Sequence, residues 1–486
     1  MNRVDQRIGK NIYYNVILQL STMLLSLLST PYLARVLGAE GLGAYAYTYT
    51  IVQYFVLAGT LGTTTYGTRQ VAFSRQNIEN LSKTFWNIFF FRIILTSIII
   101  IFYIIFFLVF PSKYKILFFM QLIVLFSNQL DISWLFSGLE DFKKIAIRGT
   151  VVKIIAFILI FPIVKKPSDI WKYTLIQGGS MLVGNLALWV YFPRELRKPQ
   201  YNWQAIKEHL FPAIKLFIPQ VAIDIYVLFD KTMLGAMTSA SQVGFYDKAE
   251  QFAKLPLSFI GILSTVMLPV MSSFSGENNI EMSKKYLFRS LQMILLISIA
   301  SGFGMAGIAP QFVPWMLGEG FTESIAFLII LAALTPIISI SNIIGRLYLI
   351  PFHQEKQLTI SVLCGAGSNI ILNLLFIPKW QAIGACIATL ITESVVSIVQ
   401  YSFLYKQIDN KLLGISIIKS LIAGIVMFFV IHALGLARGP HISTTFLQII
   451  VGTIVYISIL LLLQEKAILK LLKSVHQTAL KYIINK

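Results

Sequence analysis

Charge is the scarcest property of this sequence: only 13% of its 486 residues are Asp, Glu, Lys or Arg. An ordinary soluble domain carries roughly twice that share, so a water-facing surface of normal extent is excluded. Acidic residues are scarcer still, 21 against 40 Lys and Arg, which leaves a formal charge of +19. The basic residues gather in short connections between apolar runs. There they read as a topology signal with attraction for anionic lipid, and not as a nucleic-acid surface.

Other absences narrow the chemistry. The two cysteines, Cys364 and Cys386, both fall inside apolar runs, which argues against a disulfide framework and a thiolate metal site. The five histidines, His209, His353, His432, His441 and His476, are scattered without HExxH or other ligand spacing, so neither a metal nor a cofactor is expected. No GxxxxGK[ST] segment occurs, leaving the chain no visible means of using ATP. Gly302, Gly304 and Gly307 in SGFGMAG satisfy GxGxxG but lie within an apolar run, where close helix packing or bending is the expected role. Long polar segments are also missing, which argues against catalysis on an extramembrane domain.

What is present is apolar length. Hydrophobic residues make up 56% of the chain, and runs near 20 residues recur, each matching the bilayer's hydrocarbon thickness as a helix. A barrel would show alternating strands of about ten residues. The expected fold is an all-α polytopic membrane protein of about fourteen transmembrane helices, centred near residues 23, 53, 98, 125, 156, 181, 223, 257, 297, 335, 366, 392, 423 and 454. Most Lys and Arg fall on the side of the termini, so both ends are expected in the cytoplasm. Arg3, Arg7 and Lys10 precede a first run too long for a signal peptide and without a small-x-small cleavage site, so it reads as a retained span.

The chain also repeats itself. LARVLGAEGLGAYAYT (Leu33 to Thr48) and LFDKTMLGAMTSASQVGFYDKA (Leu228 to Ala249) share Leu-Gly-Ala, a polar turn and Gly-x-Tyr. Leu37, Gly38, Gly43 and Tyr45 correspond to Leu234, Gly235, Gly244 and Tyr246, and Arg35 and Lys231 each sit about one turn before the first glycine. Two parallel six-helix lobes are therefore expected, residues 1–205 and 206–408. They are joined through the basic stretch Phe192 to Phe211, with Arg194, Arg197, Lys198 and Lys207. Helices thirteen and fourteen, residues 409–463, are left over. A tail over 464–486 alternates Lys466, Lys470, Lys473 and Lys481 with apolar residues, which fits an amphipathic helix on the inner leaflet or one docked on the protein.

Ionisable groups within spans are costly and usually pair or line a polar cavity. Asp224, Asp230, Lys231, Glu250 and Lys254 lie in or beside two apolar runs; Asp224 and Lys231 share one helical face, Glu250 and Lys254 another. Pairing at the membrane interface is the plain alternative to ligand binding for these groups. Asp131 stands in the fourth span beside Asn128 and Gln129, while Arg69 fits a topology determinant and an anion contact equally. Pro219, Pro256, Pro269, Pro310 and Pro336 are candidate bends or hinges.

Four stretches carry a family resemblance: LARVLGAEGLGAY (Leu33 to Tyr45), YGTRQVA (Tyr66 to Ala72), DISWLFSGLEDFKKI (Asp131 to Ile145), and Asp230 to Ala249. In these the chain resembles the bacterial polysaccharide repeat-unit flippases. Their multidrug/oligosaccharidyl-lipid/polysaccharide (MOP) exporter superfamily also holds multidrug extruders and lipid II flippases. The resemblance implies the MOP flippase fold, two lobes flanking a central cavity, in a bacterial plasma membrane. The implied activity is not enzymatic. It moves undecaprenyl-pyrophosphate-linked oligosaccharides to the outer leaflet by alternating access without ATP, for capsule, exopolysaccharide or O-antigen assembly. Arg35, Lys231 and Arg69 then become candidate pyrophosphate contacts, Tyr45, Tyr226 and Tyr246 candidate sugar-stacking faces, and Asp131, Asp224 and Asp230 candidate cation-coupling groups. Expected partners are the lipid-linked substrate, membrane lipids, and polymerase and glycosyltransferase enzymes around a monomer. A drug/cation antiporter, which favours acidic cavity groups, and a lipid II flippase are alternatives within the superfamily. A membrane-embedded polymerase or glycosyltransferase is the alternative of another class, and would carry a long outward loop; a structural scaffold would leave the buried charges unexplained.

Overall fold

The computed structural model describes residues 3–109, 112–196, 203–277 and 279–469. Helix dominates, and no strand occurs among the described residues. The elements run α1 (Arg3–Thr60), α2 (Thr63–Ser74), α3 (Ile78–Val109), α4 (Lys115–Gln129), α5 (Ser133–Gly138) and α6 (Phe142–Ile163). They continue as α7 (Ile170–Val190), α8 (Trp203–Glu208), α9 (Leu210–Met237), α10 (Ala240–Ala253), α11 (Leu255–Gly276) and α12 (Ile280–Leu317). The last are α13 (Glu323–Ala332), α14 (Leu334–Ile344), α15 (Glu355–Leu404), α16 (Asn410–Arg438) and α17 (Ile442–Leu462). Among the described residues, nine helical stretches are long and apolar enough to cross a bilayer. In such a phase the helix satisfies every backbone donor internally, which is why uninterrupted Ile, Leu and Phe runs adopt it.

All the expected span centres fall inside these helices, with two centres each in α1 and α15. Both long helices contain a sharp break. In α1 it is Gly38, at φ 66°, a conformation that glycine adopts without Cβ strain. In α15 it is Gln381, at φ 50°, shortly after Pro378. Pro256 stands in the opening turn of α11, a position compatible with its missing N–H, while Pro310 lies inside α12.

Two compact units divide the chain, Met1–Gly244 and Phe245–Lys486. The first has two apolar cores. One gathers Val52, Val56, Tyr103, Phe107, Phe118 and Leu125; the other gathers Tyr66, Phe85, Phe89, Trp134, Phe192 and Leu196. Trp134 is fully buried and stacks on Phe85 at 5.2 Å. In the second unit the core of Leu287, Leu291, Ile343, Leu347, Tyr348 and Leu404 surrounds a π-helical turn at Gly345–Leu349. SGFGMAG is a helix-packing element of α12: an added Cβ on Gly302 would meet the Ala332 carbonyl at 3.0 Å, and on Gly307 the Ile431 side chain at 2.6 Å. Residues 197–202, which include Arg197 and Lys198 of the basic connection, and residues 470–486 of the amphipathic tail lie outside the described residues.

Candidate functional site

The first unit brings the repeat's aromatic and basic residues together. Tyr45 and Tyr49, one turn apart on α1, stack with ring centres 5.7 Å apart and planes 16° from parallel. Tyr173 of α7 meets Tyr45 edge-on at 4.8 Å. Lys231, half-buried on α9, lies within electrostatic reach of Tyr49. Two contacts set this register of α1 against α9: Tyr54 and Thr232 share a hydroxyl hydrogen bond of 3.0 Å, and the Tyr47 ring occupies the space left by Gly235, whose added Cβ would sit 2.1 Å from it. An ammonium within electrostatic reach of stacked phenols combines a point charge for an anion with flat faces for an uncharged ring.

The other candidates have surroundings of their own. Tyr226 and Asp224 are half-buried on α9, and Asp230 is buried at 4% exposure. Arg35 is exposed just before the Gly38 break, with Nη1 donating to the Pro31 carbonyl at 2.9 Å. Arg69, exposed on α2, lies over the Phe73 ring at 5.5 Å. Tyr246 is fully buried in the second unit, and its hydroxyl hydrogen-bonds Thr389 at 3.0 Å, so it packs internally and presents no open stacking face. Glu250 and Lys254 pair with each other at 2.6 Å.

Asp131 is engaged by its surroundings. Its carboxylate accepts hydrogen bonds from the Ser133 N–H at 2.9 Å and hydroxyl at 3.0 Å, and lies 3.6 Å from Arg92 Nη2. Arg92 is completely buried; Nε and Nη2 donate to the Asn128 carbonyl at 2.9 and 2.6 Å, and Nη1 to Thr64 at 3.2 Å. One guanidinium thereby ties α2, α3 and the α4 terminus together, using the forked donor geometry that lysine lacks. The YGTRQVA and DISWLFSGLED stretches meet beside it. A Cβ on Gly67 would press on Trp134 at 2.6 Å, and one on Gly138 would meet Val71 at 2.6 Å.

A second set of cations went unnoticed in the sequence because each sits alone in an apolar run. Arg148 and Lys153 both lie on α6, Lys153 at its midpoint. Arg148 Nη1 donates to Asn185 Oδ1 at 2.8 Å, and its buried Nε has no hydrogen-bond partner. Lys153 donates to Thr22 at 2.6 Å, one turn from the Ser21 and Thr150 hydroxyls that share a 3.2 Å hydrogen bond. A charge at the bilayer centre costs about 2.5–3.5 kcal/mol on insertion scales. The second unit holds its own missed carboxylates: Glu393, at 7% exposure on α15 with buried Asn369 and Asn373, and Glu465, which accepts hydrogen bonds from Gln292 at 2.9 Å and Ser416 at 3.0 Å. Among the described residues, no cluster of three or more His, Cys, Asp or Glu has metal-binding geometry.

Apolar spanning helices with charged and aromatic side chains held between them define a polytopic membrane protein, and the solved structures agree on the fold. A lipid II flippase MurJ in an inward closed conformation superposes with a TM-score of 0.75 at 18% identity, covering 92% of this chain and 98% of that one. An inward-facing multidrug resistance MATE family transporter of the MOP superfamily gives 0.60 at 15% identity, covering 81% and 98%. At these identities the likeness establishes the MOP fold. The model of the polysaccharide biosynthesis protein family matches residues 8–275, and that of lipid II flippase MurJ matches residues 144–472. The chain belongs to the polysaccharide biosynthesis protein family. Among curated relatives, a putative O-antigen transporter of Escherichia coli K12 is 25% identical over 421 residues, 85% of this chain and all of that protein.

Proposed function

We infer that this chain is a flippase for lipid-linked oligosaccharide repeat units in surface polysaccharide assembly. One observation carries the chemical part of the reading: Lys231 lies within electrostatic reach of Tyr49, which stacks on Tyr45, inside a membrane-spanning unit. The carrier's phosphates are anionic and are attracted by a cation in a low dielectric; the sugars are uncharged rings that pack on aromatic faces. Family membership and the O-antigen transporter relative support the same substrate class.

In this reading the carrier is undecaprenyl pyrophosphate, moved from the cytoplasmic to the outer leaflet of a bacterial plasma membrane, with both termini in the cytoplasm. Arg35 and Lys231 contact the pyrophosphate, and Arg69 offers a first contact at the inner end. Movement proceeds by alternating access in a monomer, without ATP and without bond-making chemistry. Glycosyltransferases supply the substrate and an outer-face polymerase consumes it, which draws transport forward. Asp224, Asp230 and the buried Glu393 are the carboxylates proposed to couple a cation gradient; Asp131 is occupied by Arg92 and Ser133.

The test is translocation of a lipid-diphosphate oligosaccharide in proteoliposomes, with a cationic dye as competing cargo. Oligosaccharide transfer that falls in Arg35→Gln and Lys231→Gln, while the dye stays in place, supports the reading. Movement of the dye alone assigns the chain to the drug/cation antiporters.

A further inference from the structure

The cations Arg148 and Lys153 of α6 are not absorbed by that mechanism, and their surroundings leave positive charge uncompensated. Among the described residues, no carboxylate lies within ion-pair distance of either one. Asp131 is in electrostatic reach of Arg148 but is already shared with Arg92 and Ser133. Arg148 and Lys153 also repel one another. Their direct hydrogen-bond partners are neutral, Asn185 for Arg148 and Thr22 for Lys153. Asn185 is held in turn by donating to the Ser127 carbonyl at 2.8 Å and hydroxyl at 2.9 Å, so its oxygen is fixed toward Arg148.

The local sequence is built around these two side chains. Gly184 leaves room for the guanidinium, since an added Cβ would stand 2.9 Å from Nη1. Gly149 does the same between α6 and α1, where a Cβ would stand 2.9 Å from Leu18, and so brings Ser21 and Thr22 up to Thr150 and Lys153. The buried Arg148 Nε keeps a donor with no acceptor. Lys153 is exposed on the outside of the helix packing although it lies halfway along a 22-residue span. Two cations with neutral hydrogen-bond partners on one helix, one of them keeping an unused N–H, are the complement of a multivalent oxyanion.

We propose that Arg148 and Lys153, the latter oriented by Thr22, form an intramembrane binding site for the diphosphate of a lipid headgroup, distinct from the Lys231 group. The proposal rests on the flippase reading for the choice of diphosphate over other anions. A diphosphate esterified to a long chain reaches this depth with its hydrocarbon still in the bilayer. The site therefore serves as a way-station for the charged group along the outside of the first unit.

The test uses the full chain in nanodiscs of zwitterionic lipid with farnesyl diphosphate as the probe, read by native mass spectrometry. Loss of one charge-assisted contact predicts affinity about tenfold weaker in Lys153→Gln, recovered in Lys153→Arg. Arg148→Gln is expected to weaken binding similarly, and Lys153→Gln remains decisive if that variant fails to fold. Unchanged affinity in Lys153→Gln overturns the site. Equal competition by phosphatidylglycerol overturns the diphosphate assignment, and equal binding of inorganic pyrophosphate overturns the lipid requirement. Normal oligosaccharide transfer by the wild type with Lys153-independent binding rejects this site alone. Lys153-dependent binding without any wild-type transfer rejects the flippase reading and leaves the site standing.

Discussion

Gly43 and Gly244 occupy reciprocal positions where the two copies of the repeated motif touch. A Cβ on Gly43 would fall 1.7 Å from the Ala240 carbonyl oxygen, and one on Gly244 would fall 2.1 Å from the Ala39 carbonyl oxygen. Each obstacle is the backbone four residues before the other glycine, so the paired motif is a backbone-to-backbone crossing. No rotamer change relieves such a clash. Gly43→Ala and Gly244→Ala are each expected to cost about 1–3 kcal/mol as overpacking, seen as a lowered midpoint of thermal unfolding in detergent. Gly414→Ala, where a Cβ meets nothing within 4 Å, is the matched control and is expected to be neutral or slightly stabilising. Equal behaviour of the three variants would remove the crossing as a constraint.

Arg92 is expected to be indispensable for folding of the first unit. Arg92→Leu leaves the Asp131 carboxylate without its cation and takes two donors from the Asn128 carbonyl, and is predicted to cost about 3–5 kcal/mol. Arg92→Lys restores the charge without the fork that reaches Asn128 and Thr64 together, and should recover part of that loss. Asp131→Asn keeps an oxygen for the Ser133 N–H and is expected to be the mildest of the three. Monodisperse yield by size-exclusion chromatography ranks them, and a normal yield of Arg92→Leu would contradict the assignment.

The tyrosine stack and its cation should separate by cargo. Tyr49→Leu removes a flat face and leaves Lys231 in place, whereas Lys231→Gln removes the charge and leaves the stack. Transfer of a sugar-free prenyl diphosphate is predicted to fall about tenfold in Lys231→Gln and to be unchanged in Tyr49→Leu. Transfer of the oligosaccharide-bearing lipid is predicted to fall in both. The same loss for both cargoes in Tyr49→Leu would rule out a sugar-specific role for the stack.

His209, at the start of α9, is linked to Tyr66 of α2 by a 2.7 Å hydrogen bond to Nδ1. Burial pushes its imidazole below its usual value of 6.5, with Glu208 opposing the shift. The neutral ring is therefore the folded form. Its contribution is present above the usual value and declines as pH falls, because the unfolded chain takes up the proton first. Tyr66→Phe is expected to lower the unfolding midpoint at pH 7.5, with the difference from wild type changing as pH falls, because the ring, once protonated, can only donate to the phenol oxygen. A pH-independent difference would exclude this coupling.

How far the residues alone lead is visible element by element. Each span centre is legible because helix in a bilayer is a local consequence of apolar run length. The Gly38 break and the repeat are legible because glycine spacing is written along one short stretch. Lys231 is legible as an unusual charge, and Tyr45 as part of the motif. Arg92, Arg148 and Lys153 carry the same signal, a lone cation in an apolar run, but they lie outside any repeated motif that would single them out. Tyr246 shows the converse. Its place in the motif matches Tyr45, yet its ring is wholly buried against α15 while that of Tyr45 lies on Tyr49.

The sequence by itself determined that this is a helical membrane protein, where its spans lie, and that it carries a repeated glycine motif, since all three follow from composition and spacing along the chain. Only the tertiary structure decided which buried charges meet. Arg92 reaches Asp131 on another element, Arg148 reaches Asn185, and Lys153 reaches Thr22. The depth of a residue is set by its distance along its own helix. The direction in which its side chain points is set by the neighbour against which that helix packs, and no periodicity within a uniformly apolar span records that choice.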